Sequence, residues 1–167
     1  MTENETSPGT FEAAGQSGDG FVIRRARRED IAAVAALDEQ VSGVAKDAYL
    51  SELFESYQTR RAEQRFFYVA EDSGEEHRIL GFAIGEIRAW EFGSTPCGWV
   101  FALSVEPGVR EEGVGEALLR HMSDGFRRAG VRKLRTMVRH RNHLLLSFFR
   151  SEGLKAGPYL QLEKELR

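Results

Sequence analysis

One cysteine in 167 residues, Cys97, rules out a disulfide framework and makes a reducing cytoplasm the expected location. That cysteine and four histidines show no metal-ligand spacing, so no metal site is expected. No apolar run approaches the roughly 20 residues of a membrane span, so no membrane partner is expected. The N-terminus also lacks the basic-then-apolar opening of a secretory leader. A net charge of −3 argues against nucleic acid as the main partner. What is present is an ordinary soluble composition, 41% hydrophobic, in a chain long enough for one domain with a real core.

The first twenty residues differ from the rest. They hold four acids (Glu3, Glu5, Glu12, Asp19), no lysine or arginine, and many Gly, Ser and Thr. Such a segment buries too little to offset its ordering entropy, so residues 1–20 are expected to be a disordered tail and 21–167 a single domain. Without those four acids the remainder carries 22 acids against 23 bases, a net charge of +1. The tail carries the acidity.

From Phe21 the pattern predicts alternating elements: a strand over 21–26, then a helix capped by Asp30 with Ile31, Val34, Ala35 and Leu37 on its apolar side. A second helix is marked by Tyr49, Leu50, Leu53, Phe54 and Tyr57. Strands follow over 66–70, 79–90 and 99–105. A helix over 113–129 buries Val114, Ala117, Leu118, His121, Met122 and Phe126, and Gly130 sits where a left-handed cap belongs. Then come a strand over 131–138, a short helix over 142–152 and a final strand over 160–166. Two helices, a three-strand meander and a β-α-β crossover make an α/β plan with a mixed sheet.

The most informative stretch is Trp99 to Leu119. An apolar strand runs through Pro107-Gly108 into Arg110-x-x-Gly113-x-Gly115, which opens a helix. Glycines at a helix start let a ligand approach the backbone, and the free N–H groups with the helix dipole favour a phosphate or pyrophosphate. A dinucleotide fingerprint needs a third glycine where Leu118 stands. A P-loop needs Gly-Lys-Ser/Thr, but Gly115 is followed by Glu116-Ala117. What remains resembles the GNAT superfamily of acyl-CoA-dependent N-acetyltransferases, whose pyrophosphate signature is Arg/Gln-x-x-Gly-x-Gly/Ala. Asn142-x-x-Leu145-x-x-Phe148-Phe149-x-x-x-Gly153-Leu154 is similar to that family's Asn-x-x-Ala-x-x-Phe-Tyr-x-x-x-Gly-Phe segment at the same spacing.

The resemblance implies a GNAT fold in which two parallel strands beside the motif helix splay apart at a bulge, with acetyl-CoA in the opening. The pantetheine arm would run along Leu103, Ser104 and Val105. The pyrophosphate would meet Arg110, Glu111, Glu112, Gly113, Val114, Gly115 and Glu116, and Asn142 and Phe149 would complete the cofactor site. A backbone N–H near Leu103 would face the thioester oxygen, a contact whose loss costs about 2.7–4 kcal/mol in comparable sites.

The acceptor amine needs a base, since a lysine ammonium with pKa near 10.4 is almost wholly protonated at pH 7. Glu86, a carboxylate within the apolar strand Gly81–Ile87, is the first candidate, the alternative being a solvent-facing strand residue. Glu91, between Trp90 and Phe92, is the second, with a loop-surface role as its alternative. Glu106, before Pro107, reads as a turn residue, and His140 as a surface residue or an acceptor contact.

Two departures from the family pattern stand out. The tyrosine that often protonates the leaving thiolate falls on Phe149. Glu111-Glu112 replace the common Arg or Lys, so their carboxylates are expected to point outward. Between Glu29 and Glu55 there are seven acids and one base, Lys46, which favours a cationic acceptor. Trp90-Glu91-Phe92-Gly93 and Leu146–Gly153 resemble a bacterial GNAT subgroup that acetylates protein lysines. The expected function is acetyl transfer to an amine, with protein lysine first. The alternatives are an N-terminal α-amine, a small molecule such as a polyamine, or a non-catalytic acyl-CoA sensor.

Overall fold

The computed structural model describes residues 17, 18, 20–59, 61–74 and 77–166. The chain falls into two compact units, one ending at Arg135 and the other starting at Thr136.

The first unit holds the sheet. β1 (Ser17–Gly18) turns back onto β2 (Phe21–Arg25), and β3 (Arg65–Asp72), β4 (Ile79–Arg88) and β5 (Cys97–Val105) continue the antiparallel order. β6 (Leu134–Arg135) closes the series parallel to β5, so the six strands form one mixed sheet in sequence order. Ser17 and Gly18 thus pair within the stretch expected to be a tail. Residues 1–16 and 19 of that stretch lie outside the described residues.

Side chains alternate across each strand, which gives the sheet two faces. On one face lie α1 (Ile31–Ser42) and α2 (Asp47–Thr59). Their Ile31, Val34, Ala35, Leu37, Leu50, Phe54 and Tyr57 form one cluster with Phe67, Val69, Phe82 and Ile84. Of the positions expected on these apolar sides, Tyr49 departs: it is half exposed.

Asp30 departs as well. It does not cap α1 with its side chain; it is buried and takes two hydrogen bonds from Arg24 (2.6 and 2.8 Å) and one from the Arg27 N–H (2.6 Å). A buried carboxylate needs a cation more than a helix needs its cap. Burial pushes the Asp30 carboxyl up, but the hydrogen bonds and charges of Arg24 and Arg27 together outweigh it and hold Asp30 below its ordinary carboxylate range.

α3 (Val114–Arg128) covers the opposite face and buries Val114, Ala117, Leu118, Met122 and Phe126, while His121 is half-buried edge-on to Tyr68 (centroids 4.6 Å). Gly130, at φ +81°, closes the helix as expected: its N–H reaches the Arg127 carbonyl (3.0 Å) and that of Val131 reaches Phe126 (3.0 Å). Close approach of α3 to the sheet requires a glycine at 98. A Cβ there would lie 2.3–2.6 Å from carbons of the Phe126 ring. Gly98→Ala is therefore expected to destabilise the protein by about 1–3 kcal/mol through overpacking. Urea unfolding checks this, and an unchanged midpoint would show that Phe126 shifts freely.

The C-terminal part corrects two expectations. The strand expected over 131–138 is reduced to Leu134–Arg135, and residues 160–166 form no strand. Leu160, Leu162 and Leu166 are 82%, 85% and 90% exposed. Alternating leucines become a strand only where a neighbour takes up their backbone groups, and among the described residues none pairs with them. In the second unit the short helix expected over 142–152 is present as α4 (His143–Ser151), with Asn142 and Glu152 as its caps.

Candidate active site

The β5–β6 ladder consists of two pairs, Gly98↔Leu134 and Trp99↔Arg135, after which β5 continues for six residues to Val105. On its other side β5 stays paired with β4, but the register slips: Ile84 faces Ala102 and Gly85 faces Val100, leaving Phe101 as the extra residue of a bulge. Beyond the bulge the Glu106 N–H is bonded to the Leu80 carbonyl (2.8 Å). Since backbone groups point to alternate sides along a strand, Leu103 and Val105 turn their N–H and C=O away from β4. Ser104 turns its own toward Phe82. Of the three predicted edge residues, two thus offer backbone hydrogen bonds to the open side.

β5 then passes through a tight turn at Pro107–Val109. Buried Val109 anchors it, accepting at its carbonyl from the Glu112 N–H (3.1 Å). Gly113 follows at φ +78°, with nothing within 4 Å of where a Cβ would stand. The first helical bond of α3 is Ala117 N–H to the Gly113 carbonyl (3.0 Å), and no side chain caps the N-terminus. The Val114, Gly115 and Glu116 amides therefore have no partner within the helix. Arg110, Glu111, Glu112 and Glu116 are exposed around them. In the second unit Asn142 caps α4, its Oδ1 accepting from the Leu145 N–H (3.1 Å), and Phe149 is buried edge-on to Phe148 (5.2 Å).

Glu86 sits on the α1/α2 face of β4, opposite Arg65 on β3 and Trp99 on β5. Its two oxygens have separate partners: Arg88 Nε donates to Oε1 (2.9 Å) and the Tyr57 hydroxyl to Oε2 (3.4 Å). Burial, then the nearby Glu86 charge, raises Tyr57 well above an ordinary phenol, so it remains a donor. The hydrogen bond to Glu86 likewise raises Arg88. Arg88 also approaches Glu91 (3.9 Å) and lies over the Trp99 ring (5.6 Å to its centroid). The Trp99 indole nitrogen is buried without a hydrogen-bond partner. Arg65 stacks on Tyr57 (5.1 Å) and donates to the Ser56 carbonyl (2.5 Å).

Tyr57, Arg65 and Trp99 were not legible as site residues, because only strand register and the placement of α2 bring them to Glu86. Arg88 had a signal: two residues along a strand, it shares Glu86's face. His140 remains in the stretch ahead of α4, and Glu106 stands at the turn, 3.5 Å from Arg78.

Residues 28–153 match the model of the acetyltransferase (GNAT) family. The chain belongs to the GNAT family.

Its α/β architecture is the GNAT fold, the splay lying between β5 and β6. Aminoglycoside N-acetyltransferase AAC(6')-Iy, solved with CoA, is similar in structure, with a TM-score of 0.75 and 17% identity over 87% of this chain and 94% of that one. An aminoglycoside acetyltransferase from an uncultured soil metagenomic sample, solved with sisomicin, has a TM-score of 0.69 at 16% identity over 89% and 98%. Glucosamine-6-phosphate N-acetyltransferase from Arabidopsis thaliana has a TM-score of 0.69 at 17% identity over 88% and 99%. Comparison with curated protein sequences gives no match.

This GNAT chain is an acetyl-CoA-dependent N-acetyltransferase. Its residues fit the cofactor: uncapped amides at the start of α3 suit a pyrophosphate, the open space at Gly113 admits it, and the free edge at Leu103 and Val105 suits an amide-bearing arm. Among the described residues no group of three or more His, Cys, Asp or Glu could hold a metal ion, and no helix is long and apolar enough to cross a membrane.

Proposed function

We propose that this enzyme acetylates a primary ammonium-bearing acceptor, protein lysine first, and that Glu86 accepts the proton the amine must lose. The observation that carries this is the half-buried Glu86 carboxylate, opposite Trp99 in register, with Arg88 joining it to Glu91 and to the face of Trp99. Carboxylate and aromatic face together suit an alkylammonium. Acetyl-CoA supplies the acyl thioester. In this reading the Leu103 N–H, turned to the open edge of β5, donates to the carbonyl oxygen that becomes negative during transfer. Arg110 and the amides of residues 113–116 hold the pyrophosphate. Cys97, a buried free thiol, is consistent with work in the cytoplasm.

The acidity of residues 29–55 supports a cationic acceptor less than its count suggests. Asp30 faces Arg24, Asp38 faces Lys46 (2.7 Å), Glu55 faces Arg28 and Glu29 approaches Arg27 (3.9 Å). The chain's own cations thus neutralise much of that charge. A second reading, an aminoglycoside or sugar amine, is favoured by the acceptors of the similar structures and by the unpartnered Trp99 indole N–H, which suits an acceptor oxygen.

Thiol release from acetyl-CoA against lysine peptides, N-terminal peptides, polyamines and aminoglycosides decides among these. Preference for lysine peptides supports the first reading, and preference for aminoglycosides the second. No transfer to any amine, with CoA still bound, would establish a sensor.

Phe149 has no proton to give a departing thiolate, but a thiol pKa near 8.5 makes that group a tolerable leaving group unaided. Phe149→Tyr is therefore expected to retain or raise turnover. A fall of roughly a hundredfold in a folded variant, measured by thiol release, would show that buried position 149 requires an apolar ring, a new hydroxyl there lacking its hydrogen bond.

A further inference from the structure

We propose that the Arg88 guanidinium occupies the place of the acceptor's ammonium group, so that a cationic acceptor enters by exchanging with it. This rests on the reading that the amine meets Glu86. Arg88 makes the contacts expected of such an acceptor: a charge-assisted hydrogen bond to Glu86 (2.9 Å), a 3.9 Å approach to Glu91, and a seat over the Trp99 ring at 5.6 Å. The other nearby cation, Arg65, is committed to the Tyr57 ring and the Ser56 carbonyl.

Position favours exchange. Arg88 is the last residue of β4, and its side chain is 41% exposed, against 24% for Glu86. It can swing outward while the carboxylate stays, held at Oε2 by Tyr57. A half-buried carboxylate is costly to leave without a cation, so the free enzyme keeps Arg88 there and the acceptor replaces it. The exchange is selective, because a neutral amine cannot take over the charge that Arg88 balances. It also weakens cationic acceptors, whose binding must offset the lost Arg88 contacts. Partly exposed ion pairs make that penalty modest.

Arg88→Gln is accordingly expected to lower the KM for alkylammonium acceptors roughly three- to tenfold. Arg88→Lys should restore the wild-type value, and the KM of a neutral aromatic amine such as p-anisidine should not move. Binding is read separately in a Trp90→Phe background, where Trp99 is the only remaining tryptophan. Titration with n-butylammonium chloride, followed by Trp99 fluorescence, should show tighter binding in Arg88→Gln by the same factor. An unchanged or higher KM and dissociation constant in Arg88→Gln, or an equal gain for the neutral amine, overturns the exchange. Tighter butylammonium binding combined with wild-type turnover of Glu86→Gln would leave the exchange standing and remove Glu86 as base. The converse pair of results would do the opposite.

Discussion

Gly113→Asp yields a folded protein whose affinity for acetyl-CoA falls by roughly a hundredfold or more. The loss has two sources. Gly113 stands at φ +78°, where a residue with a Cβ is strained by roughly 1–2 kcal/mol. A carboxylate at this N-cap position also sets a negative charge near the uncapped amides of α3, where the proposed pyrophosphate sits. Gly113→Ala separates the two effects. A methyl group meets nothing within 4 Å, so that variant should lose stability but keep most of its affinity. Gly115→Asp should also abolish binding, but Gly115 is buried in the first turn of α3, so the fold suffers with it. Calorimetric titration with acetyl-CoA is the measurement. Unchanged affinity in folded Gly113→Asp would remove the pyrophosphate from this turn.

Glu86→Gln should lower the rate constant for acetyl transfer by roughly 10²–10⁴, the usual worth of a positioned base. Affinity for acetyl-CoA should change little. Glu86 pairs with Trp99, six residues and roughly 20 Å along β5 from Val105, after which the turn into α3 begins. Raising the pH should recover part of the loss, because more of the acceptor is then neutral without help. Single-turnover measurements with an excess of enzyme isolate the chemical step. Wild-type turnover at pH 7 would sink Glu86 as the base and make Glu91→Gln the next variant. A negative result there would point to deprotonation by solvent.

What could be read from the chain was local in its physics. A glycine pair opening a helix, the helical period of Val114 to Phe126 and a left-handed cap at Gly130 depend on neighbours a few residues away. The structure places α3 and its cap where that pattern expected them. The family also lay within reach, because its signature is the local pattern of Gly113 and Gly115 at a helix start next to a strand. Local signals misled where pairing decides. Leu160, Leu162 and Leu166 alternate as a strand does, and Val131 to Val138 is rich in branched residues. A strand nonetheless exists only where another chain segment bonds to it, and here the pairing with β5 stops at Arg135. Asp30 misled for a similar reason, since Arg24, six residues away on β2, claims the carboxylate that would have capped α1.

The sequence by itself therefore determined the glycine turn ahead of α3, the fold class and the existence of a carboxylate on β4. Tertiary structure alone decided that carboxylate's company. Register across β3, β4 and β5, with its slip at Phe101, sets Arg65 and Trp99 opposite Glu86, and α2 delivers the Tyr57 hydroxyl. Because one residue of slip would move every following side chain to the other face of the sheet, such partners depend on the register of the whole sheet and cannot be read from any local window.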